Sequence, residues 1–330
     1  MYFGFDDDQL ALRDAVAALL GKKAGLAVLQ QAWADPAGDQ AWAAWADLAR
    51  MGVQGLMAPE AAGGSAMDWV TMSLVLAEAG SAALPLPLLE TAAIGVPLLA
   101  AAGDPAGLLP SLVDGSAVLT VAPGVEPGAD ALVPASTRSG WFLVGGRLYR
   151  RDEVELEPVQ SVDRTRDLAR VVAKGGGVAV GSPVDHGALG TAAMLVGLGR
   201  ALVRMTVDYV KDRKQFGVAV GSFQAVKHHL ADATMRIEFA APAVWAAAWE
   251  MSRRGPTGDG VARSVSLAKA LASDAAEQAA RAALQCHGAM GYTDDYHLHL
   301  WLKRVWCLAP SYGTARWHRR RIGAHLGLDR

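Results

Sequence analysis

The residues of this chain best suited to chemistry fall in two glycine-punctuated stretches and one short turn. The first stretch, DYVKDRKQFGVAVGSFQAVKHHLAD at 208–232, places Arg213, Lys214 and Phe216 where one apolar-periodic helix ends and another begins. Cations at a helix C-terminus favour the macrodipole, and that plain role accounts for most such residues. A guanidinium at such a turn also suits a pyrophosphate, which it clamps with two parallel N–H bonds while Phe216 lies against a ring. The second stretch, AALQCHGAMGYTDDY at 282–296, sets Gln285, Gly288 and Gly291 across a helix end. Glycines there cap the helix, or they let backbone N–H groups come close to a phosphate or adenine. The turn is Tyr312-Gly313-Thr314, which runs into a helix start carrying Arg316, Arg319, Arg320 and Arg321. Cations at a helix N-terminus oppose the macrodipole, so an anionic neighbour is expected beside Arg316. The other three read as a solvated face.

Three kinds of element must position these residues. Residues 1–116 read as helices: Leu10, Leu12, Val16, Leu19 and Leu20 keep helical spacing behind an acidic first turn, Gly52 is a stop, and a further helix begins near Asp68. Residues 117–182 change period to short alternating, β-rich pieces, with Gly145-Gly146 a hairpin turn, and predict a small, partly open barrel or sheet. Residues 183–330 return to long helices. One covers 187–212; another starts at Ser222 as N-cap and is kinked or broken at Pro242; a third covers about 260–285; shorter ones follow Asp294 and Thr314. The fold class is therefore mainly α with a small β middle part.

Totals exclude several classes. The chain has 330 residues, 31 Lys+Arg against 33 Asp+Glu, and an apolar share of 52%. With a pI near 6.4 nothing points to nucleic acid. Two cysteines, Cys286 and Cys307, make neither a disulfide framework nor a zinc site, and a reducing cytoplasm suits them. His228 with Asp232, and His297 with His299, lack a third ligand nearby in sequence, so no metal is expected. The amino terminus is acidic where a secretory signal is basic, and apolar runs such as 91–103 are too short to span a bilayer, so a cytoplasmic protein with no membrane partner is expected. Trp245, Trp249, Trp301 and Trp306 read as packing or interface residues.

The two glycine-punctuated stretches, with the loop GLMAPEAAGG at 55–64 and the helix after it, match the acyl-CoA dehydrogenases in order and spacing. The chain resembles that family of flavoproteins along its whole length. The resemblance implies an N-terminal helical domain, a middle β-domain and a C-terminal four-helix bundle. It implies FAD as cofactor and an acyl-CoA thioester as substrate. It also implies that Arg213, Gln215, Phe216, Gln224, Gln285, Cys286, Gly288 and Ala289 reach the adenine–pyrophosphate half of an FAD held mainly by a neighbouring subunit. Thr314 matches a flavin-contacting threonine, and Arg316 stands where the family often has a glutamine near the flavin.

The same resemblance exposes departures. The family's catalytic glutamate commonly precedes Gly-Thr, and here Tyr312 stands in that place. The alternative glutamate position, early in the long bundle helix, falls on Gly187. An unperturbed phenol has a pKa of about 10 and is a poor base at neutral pH, whereas a carboxylate is ionised. Asp185 is the only carboxylate near, and it reads better as an ordinary acid in a helix first turn. Of the family's flavin-ring segments, only TVAPGVEPGADA at 120–131 and Trp141 offer weak counterparts. The resemblance is thus to the base-lacking subunit of the two-gene, actinobacterial type, several of which act on steroid side-chain CoA thioesters. It implies a hetero-oligomer, α2β2, with a related catalytic subunit. A scaffold subunit that binds no flavin is the alternative.

Overall fold

The computed structural model describes residues 4–123, 131–258 and 260–328. The part of the 120–131 segment between 124 and 130 lies outside the described residues. Helices come first: α1 (Asp7–Lys23), α2 (Leu26–Ala34), α3 (Asp39–Arg50) and α4 (Trp69–Ser81), then a π-helical turn at Leu89–Gly95 that runs into α5 (Val96–Ala101), and α6 (Leu109–Val113). The boundaries follow local chemistry. Asp6 caps α1 by accepting from the Gln9 N–H at 2.8 Å, while Gln9 Oε1 accepts from the Asp6 N–H at 3.2 Å. Asp68 Oδ1 accepts from the Thr71 N–H at 3.0 Å and starts α4, as the sequence predicts. Gly52, just past α3, takes φ +80°.

The middle strands form two small sheets rather than one barrel. One runs β1 (Leu119–Val121), β3 (Trp141–Val144), β4 (Arg147–Arg150), β7 (Val178–Ala179), with only the β1–β3 pair parallel. The other is antiparallel and orders β2 (Leu132–Val133), β6 (Ala169–Ala173), β5 (Val154–Pro158). Gly145 and Gly146 make the β3–β4 turn with φ +57° and +77°, the pairing of positive φ that a type I′ turn demands. A small core of Val133, Phe142, Tyr149, Val154 and Val171 holds the sheets together. A buried ion pair fastens them to the helices: Arg304 donates to Asp163, to Thr165 Oγ1 at 2.6 Å and to Leu84 O at 2.6 Å.

The bundle consists of α7 (Val184–Asp212), α8 (Gln224–Arg254), α9 (Val261–His287), α10 (Leu298–Leu308) and α11 (Ala315–His325), with a two-stranded arm, β8 (Lys214–Gln215) and β9 (Val218–Ala219), between α7 and α8. Helix α7 is the centre. It is the one helix among the described residues long and apolar enough to cross a membrane, but it is buried against α4, α8, α9 and α10. Backbones meet there: a Cβ on Gly197 or Gly80 would overlap Ala77 O or Met194 O across the α4–α7 contact.

Two sequence expectations fail in α8. The helix starts at Gln224, because a 3-10 turn at Val220–Ser222 precedes it and the Ser222 hydroxyl donates to Ala219 O instead of capping. It also runs unbroken through Pro242, an exposed position, so of the kink or break expected there the break is absent.

Candidate functional site

The loop between α10 and α11 delivers Tyr312 directly onto α7. An ideal Cβ built on Gly187 would lie 2.5 Å from Tyr312 Cγ and closer still to Cδ1 and Cε1. The ring therefore occupies the space of any side chain at 187. Tyr312 is 3% exposed, takes φ +55°, and its hydroxyl has no hydrogen-bond partner among the described residues. Burial, with the nearby Glu90 carboxyl, pushes the phenol well above its ordinary range, and Arg166 opposes this only partly. A group so placed does not take up a proton from a substrate carbon at neutral pH.

Glu90, whose charge bears on this plug, also lines a nearby slot. This slot of about 30 Å³ is lined by Glu90 and Leu89 from the π-helical turn, Met194 from α7, Leu308 from α10, and Arg166 and Arg304. Glu90 is buried, and desolvation raises its pKa against the pull of Arg166 and Arg304. Thr191, one helical turn beyond Gly187 on the same side of α7, also buries an unpartnered hydroxyl. Sequence reading passed over Glu90 and Thr191. A single acid inside the apolar run LPLPLLETAAIG was the available signal for the first.

Asp185 is not a free carboxylate. Arg321 holds it in a two-pronged ion pair, with Nη2 donating to Oδ2 at 2.9 Å and Nη1 to Oδ1. Arg319 pairs with Asp274. The expectation that Arg319 to Arg321 form a solvated face is corrected for Arg321, which is half-buried on Asp185; Arg316, Arg319 and Arg320 are exposed.

The residues expected to meet a nucleotide tail gather on the outside. Arg213 ends α7, exposed, with no side-chain partner among the described residues; its carbonyl accepts from the Val220 N–H at 2.8 Å and closes the arm. Phe216 and Gly217, at φ +53° and +83°, form the arm's tip, and Phe216 is 92% exposed. The ring of Phe216 meets Phe223, edge to face at 6.3 Å. Gln215 turns its amide onto Lys214 O at 2.8 Å. Gln224 opens α8 in the open. Stacking of Tyr209 on His287, at 4.2 Å, sets the arm's root beside the end of α9. There Gln285, Gly288 and Ala289 are exposed, while Cys286 is buried and its thiol raised in pKa by desolvation.

Gln285 shares a groove of about 350 Å³ with His229, Gln278 and Arg281. Arg281 also lines a second groove, of about 270 Å³, with Glu277, Trp306 and Thr314. Thr314 is the N-cap of α11 and accepts from the Trp317 N–H at 3.2 Å. One outer face of α9 therefore links Gln285 to Thr314 through Arg281, a residue that sequence reading missed. Its position four residues before Gln285, on one helical face, was the signal.

These two regions fit an FAD differently. An unpaired guanidinium, exposed amides at 224 and 285, and Gly288, at φ +60° with open space around its Cβ position, suit the phosphate and adenine end. The plugged space over Gly187 does not suit an acyl chain beside a flavin ring.

Two family profiles match the chain: "Acyl-CoA dehydrogenase, N-terminal domain" over residues 6–115, and "Acyl-CoA dehydrogenase, C-terminal domain" over residues 173–327. Acyl-CoA dehydrogenase IpdE2 of Mycobacterium tuberculosis is 34% identical over 328 residues, covering 97% of this chain and 98% of that protein. The solved structure of the Tcur3481-Tcur3483 steroid ACAD, G363A variant, superposes with a TM-score of 0.87 at 25% identity, over 97% of this chain and 98% of that one. The ChsE4-ChsE5 complex from Mycobacterium tuberculosis shares the fold, with a TM-score of 0.86 at 21% identity over 99% of both chains.

Proposed function

This chain belongs to the acyl-CoA dehydrogenase family, and from that premise we propose that it is the base-lacking subunit of a heteromeric FAD-dependent acyl-CoA dehydrogenase. In this reading it forms an α2β2 assembly with a related, catalytically complete chain. Bound FAD supplies the hydride acceptor for α,β-dehydrogenation of an acyl-CoA thioester. The partner holds the flavin ring and the carboxylate base. Arg213, Gln215, Phe216, Gln224, Gln285, Cys286, Gly288 and Ala289 are this chain's contribution, gripping the adenine–pyrophosphate end across the interface, with Thr314 and Arg316 as further flavin contacts. Steroid side-chain thioesters are the proposed substrate class, since the Tcur3481-Tcur3483 relative is a steroid ACAD.

The observation that carries the reading is the Tyr312 ring seated on Gly187. Both places for a base are taken by one buried aromatic group, while the arm beside α9 leaves its cation and amides open. The outer faces support a partner too. Met235, Phe239, Pro242, Ala246 and Trp249 recur every three or four residues along α8 and are exposed, and Leu267 and Leu271 of α9 are exposed with them. An apolar stripe of that length is expected to be covered.

A scaffold that binds no flavin would tolerate the same plug, but it has no use for an unpaired Arg213. Arg213→Ala in the co-purified assembly separates the two: loss of flavin absorbance supports the tail-gripping role, and full retention supports the scaffold.

A further inference from the structure

The phenol of Tyr312 makes no hydrogen bond among the described residues and its backbone is left-handed, a conformation that costs a non-glycine residue about 1 kcal/mol or more. Neither feature explains why the ring stays on Gly187. The polar contacts that hold the loop lie on its other side, on α9. Lys269, 0% exposed, donates from Nζ to Ala309 O at 2.6 Å, to Ser273 Oγ at 3.0 Å and to Gly313 O at 3.3 Å. Three acceptors match the three N–H donors of an ammonium. Among the described residues no carboxylate stands within ion-pair distance of this Nζ. Burial pulls the Lys269 amine down from 10.5 to about 7, and its ammonium form is favoured by its place at the C-terminal end of α10, where Ala309 is the C-cap and the helix dipole is negative.

A second strut comes from α11. His318 is fully buried, with Nε2 3.0 Å from Tyr312 O and Nδ1 3.1 Å from Ser266 Oγ. A carbonyl only accepts, so Nε2 carries the proton and Nδ1 accepts from the Ser266 hydroxyl. Burial, and next the charge of Lys269, push the imidazole down to about 4, which keeps it neutral in that tautomer. Ser266, Lys269 and Ser273 recur at helical spacing along one face of α9. Together these contacts fix the carbonyls of 309, 312 and 313.

We propose that Lys269 is the positioning residue of the plug: it pins the backbone on both sides of Tyr312. The proposal rests on the reading in which Tyr312 closes this chain's own cleft, and it names what keeps that closure in place. The test uses the full chain with 3-fluorotyrosine at position 312, followed by fluorine NMR in the presence of a soluble paramagnetic agent, with thermal unfolding in parallel. The unsubstituted chain is expected to give one resonance shielded from the agent. Lys269→Met is expected to split that resonance or raise its sensitivity several-fold while unfolding stays cooperative, and Ser266→Ala to move it less in the same direction. A shielded, unmoved resonance in folded Lys269→Met overturns the proposal. Should Lys269→Met fail to fold, Ser273→Ala, which removes one acceptor and leaves the ammonium, takes its place, and an unmoved resonance in both serine variants overturns it. The readout needs neither partner nor flavin, so a pinned Tyr312 in a chain that recruits no partner would count against the heteromer alone.

Discussion

Tyr312 and Gly187 are interlocked: the ring of one fills the volume that a β-carbon on the other would need. The two positions where relatives of this chain are expected to carry a base are therefore one structural decision. Gly187→Ala should destabilise the chain by about 1–3 kcal/mol, as over-packing of a tight core does. The same change in a Tyr312→Ala background should be neutral or slightly favourable, since alanine is the better helix former. Denaturant unfolding of the four proteins gives the coupling, expected at roughly 0.5–3 kcal/mol for contacting residues. Additive effects would mean that the ring does not rest on α7.

Asp185 gives a second prediction. Its carboxylate is held by the Arg321 fork, and 136 positions of sequence separate the pair. Asp185→Asn should cost about 1–3 kcal/mol of stability, as loss of a charge-assisted hydrogen-bonded pair does, and leave turnover of the partnered enzyme unchanged. A collapse of turnover without loss of stability would make Asp185 the base.

The pH dependence has a definite sign. His186 and His318 are both buried and pushed down from 6.5 to about 4, chiefly by desolvation. Between those values the unfolded chain binds protons at these two positions that the folded chain refuses, so the histidines' contribution is complete above pH 6.5 and is lost as the pH drops toward 4. Each histidine contributes at most roughly 3 kcal/mol over that window. Urea midpoints at pH 7 and pH 5 check it, and a flat profile would contradict the buried, neutral imidazoles.

How much of this was legible in the sequence depended on distance along the chain. A helix start near Asp68, Gly52 as a stop and Gly145-Gly146 as a turn are local chemistry, and each is where the residues say. The start of α8 misled because Ser222 has the right side chain for a cap, but a preceding 3-10 turn gives its hydroxyl to Ala219 O. Pro242 misled as to a break, since the helix runs on through it. Lys269 was invisible for a deeper reason. Its acceptors, Ala309 O and Gly313 O, lie 40 and 44 residues away, and nothing in LAKALAS announces that a lysine there is buried. The plug itself was half-legible: the absence of a glutamate could be read, but not that a single ring closes both positions.

The most direct measurement is the flavin content of this chain purified alone and purified with the proposed catalytic partner, read from flavin absorbance against protein, with acyl-CoA turnover followed in both. The account predicts a chain that is colourless and inactive alone, and an active assembly holding one FAD for each unlike pair. A lone chain that retains stoichiometric FAD and dehydrogenates an acyl-CoA would contradict it.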